Sequence, residues 1–275
     1  MAAQIAPAPN KSHQSILVVG GGAGIGYATV KNIIDTTTNT KLVVFDRDVS
    51  GLHALRGPRL NCVEGDVTDK EDRARVMSQC VEFMQGVDTV VYCAGVINPI
   101  ERIEKLDVED VGRAFDVNVL GCLGMVQLCL PHLRHSRTMH PTNAAHGKLI
   151  ILTSACDLSI TYHGWMPYCT SKAALTRFIT CLAHEEPLIT VQGVYPKLTR
   201  TKMPEDVIAG RYRGVMADHE IERFRVWDSM GEEMVERPEK CGRAVARLAV
   251  GLVEGGRSGV ALYYDEHVPE KIVGT

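Results

Sequence analysis

Short, nearly unbroken apolar runs recur along the chain, separated by stretches in which apolar positions return every three to four residues. Ile16-Leu17-Val18-Val19, Leu42-Val43-Val44-Phe45, Thr89-Val90-Val91-Tyr92 and Leu149-Ile150-Ile151-Leu152 are such runs. They mark strands of a parallel sheet that is covered on both faces, where neither side of the pleat meets water. Asn61-Cys62-Val63-Glu64 reads as a weaker third strand, Thr190 to Tyr195 as a sixth, and Val260 to Tyr264 as a last. Between them, helical periodicity covers Tyr27 to Ile34, Lys70 to Phe83, Val108 to Leu133, Tyr168 to about His184, and Pro238 to Val253. Strand and helix alternate throughout, with no internal repeat and no linker. That order predicts one α/β domain: a doubly wound, mostly parallel seven-stranded sheet with helices on both faces.

The domain is expected over 14–275. Residues 1–13, rich in Ala and Pro, read as a flexible N-terminal tail, without the apolar core of a signal peptide or the arginines of a transit peptide. His135 to Gly147 reads as a polar loop, and 202–230 as a charged segment that suits a substrate lid. A length of 275 residues can bury a large core, and the formal net charge of −3 leaves no basic footprint for nucleic acid or a membrane surface. No apolar run reads as long enough to span a bilayer. Nine cysteines are scattered without metal-ligand spacing and in odd number, which fits reduced thiols of a cytoplasmic protein rather than a disulfide framework. The histidines form no ligand pattern, so no metal is expected.

Gly20-Gly21-Gly22-Ala23-Gly24-Ile25-Gly26 lies between the first strand and the first helix. Glycines at Gly20, Gly24 and Gly26, with Ile25 between the last two, allow a tight turn and close approach of a pyrophosphate to a helix N-terminus. A bare structural turn is the alternative. Asp46 weighs against it, because it ends the second strand about twenty residues on, where a carboxylate accepts from both ribose hydroxyls. A carboxylate also repels a 2′-phosphate, so NAD(H) is favoured; Arg47 beside it leaves NADP(H) open. Asp66-Val67, after the third strand, reads either as a neighbour of the adenine or as a helix cap region.

Tyr168 and Lys172 stand four apart on a helix and share one face. A nearby ammonium favours the phenolate, which brings a tyrosine closer to proton work on a carbonyl.

The glycine turn, Asp66, Cys93-Ala94-Gly95, Asn118 and Tyr168-xxx-Lys172, in this order, resemble the short-chain dehydrogenase/reductase family and its Rossmann sheet. A narrower set, Gly164-Trp165-Met166-Pro167-Tyr168-Cys169, Glu185-Glu186-Pro187, Thr201-Lys202-Met203 and Tyr264-Asp265, is similar to the sepiapterin reductase and fungal benzil reductase branch. The resemblance implies NAD(P)-dependent reduction of a ketone or diketone, or oxidation of a secondary alcohol. Tyr168 would be the acid, Lys172 the partner of the nicotinamide ribose, and Asn118 the anchor of a water in the proton relay. Thr201 and Pro196 would lie beside the nicotinamide, Ala94 and Gly95 beside the dinucleotide. A homodimer or homotetramer is the common assembly of such proteins.

The departures from that family are Val19 before the first glycine, Tyr92-Cys93 in place of two asparagines, and Pro196-Lys197 in place of Pro-Gly. The catalytic serine falls on Ser154 when read along the fifth strand and on Ala155 when counted back from Tyr168. The strand holds position better than a loop, so Ser154 is expected. Leu262 falls where sepiapterin reductases carry the aspartate that grips the pterin, which argues against a pterin substrate.

Tyr162, His163 and Trp165 precede the tyrosine and suit the wall of a pocket for a flat group, or a loop packed on the sheet. Glu220, Glu222, Arg223 and Arg225 read as solvated pairs. Two other readings stay open: the same fold turned to imine reduction, isomerisation or cyclisation, and a dinucleotide-binding protein without catalysis.

Overall fold

The computed structural model describes residues 13–136 and 147–269. The expected tail is thus almost wholly outside the described residues, as is most of the polar loop before Gly147. Seven parallel strands form one sheet in the order β3-β2-β1-β4-β5-β6-β7. They are β1 (Gln14–Val19), β2 (Thr40–Asp46), β3 (Leu60–Glu64), β4 (Thr89–Tyr92), β5 (Lys148–Leu152), β6 (Thr190–Tyr195) and β7 (Val260–Tyr263). The four apolar runs are buried as the pattern requires: Ile16, Leu17, Val18, Leu42, Val43, Val44, Val90, Val91, Leu149, Ile150 and Ile151 have no exposed surface. Each such side chain contributes about 1.5–3 kcal/mol of transfer free energy.

Two helical layers make that burial possible. On one face lie α2 (Lys70–Met84), α4 (Gly121–Arg134) and α5 (Met166–Glu185), closing a core around Leu17, Val90 and Ile151. On the other lie α1 (Gly24–Thr36) and α8 (Pro238–Ala249), which cover Ile16, Val44 and Ile150. Gly242 lets those two helices touch, since a Cβ there would press on the backbone of Ala28 and Thr29 at 2.9 Å. The sheet winds outward both ways from the β1–β4 boundary, and the crevice at the C-terminal ends of those strands is where such sheets bind ligands.

Several boundaries differ from the sequence reading. The last long helix stops at Ala249 rather than Val253, and β7 stops at Tyr263, because Tyr264 opens a single turn, α9 (Tyr264–His267). The long helix from Val108 is three pieces: α3 (Val108–Phe115), a wider π turn over Asp116–Leu120, and α4. The charged segment folds into α6 (Lys202–Ile208) and α7 (Asp218–Ser229).

By length and composition alone, Val108–Arg134 is apolar enough to cross a bilayer, against the expectation of no such run. The reason is that both its faces are apolar. Cys122, Met125, Val126 and Cys129 are buried against the sheet, while Leu120, Leu123 and Leu128 are exposed at 53%, 37% and 37%.

Candidate functional site

The C-terminal ends of β1, β4, β5 and β6 open on one cavity of about 1130 Å³. The glycine turn forms its floor. Gly20 adopts φ +80° and a Cβ on it would collide with the backbone of Ala94, so the β1 and β4 ends approach only because the position is glycine. Val19 O holds them together, accepting from Cys93 N at 2.7 Å and Ala94 N at 3.1 Å. Gly26 likewise leaves no room for a side chain against Gly20 O. The N-terminus of α1 has no side-chain cap, since Ala23 precedes it, and no acidic residue in its first turn. Its free N–H groups and positive dipole end therefore face the cavity, together with Gly24 and Ile25. Such an open, unacidic helix start fits a pyrophosphate.

Asp46 reaches back under this turn. Its Oδ2 accepts from Gly22 N at 2.7 Å and its Oδ1 from Asp48 N at 3.2 Å. A carboxylate has about four lone-pair sites, so two bonds leave capacity for ribose hydroxyls. Arg47 is exposed at the same rim. Asp66 and Val67 also border the cavity. Asp66 accepts from Thr68 N and Oγ1, both at 2.8 Å, whereas the cap of α2 is Asp69. The cap reading therefore belongs to Asp69, three residues later.

Ser154, Tyr168 and Lys172 converge on the opposite wall. Ser154 and Ala155 both border the cavity; the Ser154 hydroxyl acts on the buried Tyr168 phenol, whereas the Ala155 carbonyl accepts from Ser159 N and Ile160 N. Burial pushes the Tyr168 phenol well above its ordinary value, against a smaller downward pull from Ser154. Burial also lowers Lys172 to about 8. The expected depression of the tyrosine by the lysine is thus not seen: burial sets its direction, and the one group that lowers it is Ser154. Lys172 Nζ donates to Leu152 O at 3.1 Å, which leaves two donors for a ligand. Gly95 lies beside it: a Cβ there would stand 3.4 Å from Lys172 Nζ.

Asn118 is not a solvated mid-helix residue. It sits in the π turn with no exposed surface. Its Oδ1 accepts from Val96 N at 2.7 Å, and its Nδ2 donates to Val96 O at 2.9 Å and Ser171 Oγ at 2.8 Å. The side chain therefore clamps the backbone after β4 rather than standing open to a water.

Pro196 and Thr201 line the cavity, Thr201 at the start of α6 and over Gly24. The Lys197 ammonium pairs with Asp265 and lies 5.6 Å from the Tyr264 ring. Its charge is thus drawn to the C-terminal rim.

Tyr162 and Trp165 line the cavity, and the structure adds Phe224 and Trp227 from α7. The rings form one cluster: Tyr162–Trp165 at 4.7 Å, Tyr162–Phe224 at 5.2 Å, Trp165–Tyr168 at 5.9 Å and Phe224–Trp227 at 5.4 Å. His163 is not among the lining residues. It turns outward and pairs with Glu220, Nδ1 to Oε1 at 3.0 Å. Glu220 in turn is 7% exposed and accepts from Ala217 N and His163 N, so it ties α7 to the tyrosine loop instead of being solvated. A polar residue in a charged stretch carries no sign of such burial, whereas the i, i+3 spacing of Phe224 and Trp227 was a usable signal for a shared face.

A family model described as short chain dehydrogenase matches residues 14–211. Among curated proteins, benzil reductase ((S)-benzoin forming) IRC24 of Saccharomyces cerevisiae is 30% identical over 219 residues, covering 76% of this chain and 80% of its own. L-fucose dehydrogenase of Mus musculus is 30% identical over 177 residues, covering 64% and 60%. Among solved structures, the KRED1-Pglu enzyme superposes with a TM-score of 0.80 at 30% identity, over 90% of this chain and 100% of that one.

Proposed function

Because this chain belongs to the short-chain dehydrogenase family, it is an NAD(P)-dependent oxidoreductase acting on alcohol or carbonyl groups, and we propose that its own reaction is reduction of an aromatic ketone or vicinal diketone. The observation that carries this reading is the meeting of Ser154, Tyr168 and Lys172 on one wall of a cavity whose neighbouring wall is aromatic. The glycine turn would hold a nicotinamide dinucleotide, which would supply a hydride when bound. Ser154 then holds the substrate oxygen through its hydroxyl. Tyr168 gives its proton to that oxygen as negative charge builds there, and a phenol kept protonated by burial suits a donor. Lys172 offers its free donors to the ribose. Asn118 fixes Val96 and so the β4 end, which would help to hold the dinucleotide.

Tyr162, Trp165, Phe224 and Trp227 provide flat apolar faces for the substrate, and α6 and α7 cover them as a lid. The yeast relative named as a benzil reductase supports a substrate of that shape. Asp46 supports NAD(H) over NADP(H). The exposed leucines of Val108–Arg134 support self-association, which sedimentation of Leu123→Glu against the native chain would test. The reaction itself is tested by following oxidation of NADH and NADPH with benzil-like diketones. Absence of turnover with both, while either dinucleotide still quenches tryptophan fluorescence, would sink the reading and leave only dinucleotide binding.

A further inference from the structure

The turn that carries Ser154 is tied down by one buried carboxylate. Asp157 Oδ2 accepts from the Tyr195 hydroxyl at 2.6 Å and from Thr176 Oγ1 at 2.7 Å, and its Oδ1 accepts from Leu158 N at 2.7 Å. Its own N–H donates to Ser154 O at 3.0 Å, which closes the turn. Inside that turn, Cys156 N donates to the Ser154 hydroxyl at 3.2 Å, which uses one lone pair and leaves the O–H to donate. Leu158 and Ser159 are exposed, so the outer part of the turn has little apolar packing to hold it.

The two hydroxyl donors come from elements that carry the rest of the site. Thr176 stands one turn beyond Lys172 and two beyond Tyr168, on the same stripe of α5. Tyr195 ends β6 directly before Pro196, and its ring meets Tyr263 edge-on at 5.6 Å. Burial, with a further push from the carboxylate, raises Tyr195 to about 12 and keeps it a donor. Asp157 thus joins the Ser154 turn to the helix of Tyr168 and to the strand that leads into the Pro196 wall. It is not among the residues that line the cavity.

We propose that Asp157 is a positioning residue: it holds the turn so that the Ser154 hydroxyl meets the substrate oxygen, and it touches neither substrate nor dinucleotide. This rests on the role given above to Ser154. A displacement of about 1 Å in a reacting group costs about 10²-fold in rate, so loosening the turn acts on the chemical step.

The test is a double-mutant cycle of Asp157→Ala with Ser154→Ala, read by single-turnover reduction of benzil. Asp157→Ala alone is expected to lower the rate at least tenfold with NADH affinity unchanged, and to cost less than twofold once Ser154 is Ala. Asp157→Asn keeps an oxygen for the two hydroxyls and is expected to restore most of the rate. Should Asp157→Ala not fold, Tyr195→Phe takes its place in the cycle, since it keeps the ring on Tyr263 and removes one hydroxyl. An equal cost with and without Ser154, or an unchanged rate, overturns the proposal. Hydrogen exchange over 153–158, measured without substrate or dinucleotide, stands apart from the proposed reaction. Asp157→Ala is expected to speed it at least tenfold while 168–180 exchanges as in the native chain. Native exchange over 153–158 overturns the positioning role whatever the substrate; no turnover by the native chain, with that exchange faster in the variant, overturns the proposed reaction and leaves Asp157 as the anchor of the turn.

Discussion

Lys172 Nζ stands 5.7 Å from the centre of the Tyr168 ring while donating to Leu152 O. The lysine thus sits over the face of the ring, with burial setting the charge of both groups. Tyr168→Phe keeps the ring, and with it this contact, and removes only the hydroxyl that carries the proton. Turnover is expected to fall by about 10²–10⁴, the usual cost of a lost general acid, with dinucleotide affinity unchanged. Steady-state rates beside fluorescence titration separate the two, and near-native turnover would rule out the tyrosine as donor.

The cofactor preference turns on Asp46. A 2′-phosphate beside its carboxylate meets like charge, so NADH is expected to bind more tightly than NADPH. Asp46→Ala frees Gly22 N and lets Arg47 pair with phosphate, which narrows or reverses the preference. Titration of both variants with both dinucleotides is the measurement; NADPH bound at least tenfold tighter by the native chain would be the contrary result.

Two adjacent residues competed for the serine role, and they give opposite mutational signatures. Ser154→Ala is expected to lower the chemical step by about 10²-fold, comparable to loss of one oxyanion donor. Ala155→Ser is expected to change little, since that residue is buried and its carbonyl holds the turn. Single-turnover rates check both, and a gain from Ala155→Ser would move the register by one.

Lys148 provides a pH-dependent stability change away from the cavity. It is buried, donates to Leu248 O at 2.9 Å, and burial lowers it to about 8 from 10.5. Below about pH 8 both folded and unfolded chains carry the charge, and the folded one bears the full desolvation cost. As pH rises from about 8 to 10.5 the folded chain sheds the proton first, and the penalty fades. Lys148→Met is therefore expected to stabilise the protein by about 1–2 kcal/mol at pH 7, with the gain vanishing by about pH 10.5. Leu248 O keeps a backbone partner in Gly251 N at 3.2 Å. Urea melts of both proteins across that range make the comparison.

The strands were legible because a doubly covered parallel sheet writes itself as apolar runs; Ile16-Leu17-Val18-Val19 has no other use for four such residues. Tyr168 and Lys172 were legible because a helix converts spacing into a shared face. Side chains whose direction depends on a distant element were not. Lys197 stands where the resembling family has glycine, and nothing near it in the sequence points to Asp265, 68 residues later, as the partner of its ammonium. His163 looked like a wall residue until Glu220 took it outward. The π turn at Asn118 has no period of its own, so the burial of its amide left no sign in the sequence.

Gly242 keys α8 to α1, and the sheet places β1 next to its central strand, β4. The first strand, the glycine turn and α1 leave the ribosome early, yet the helix that covers them lies more than 200 residues behind. Until it arrives, Val30 and Ile33 have no lid over one side. The earliest-made part of the molecule is therefore among the last to be sealed. An order of synthesis that runs against the order of closure leaves a long interval of exposed apolar surface, during which a chaperone has something to hold.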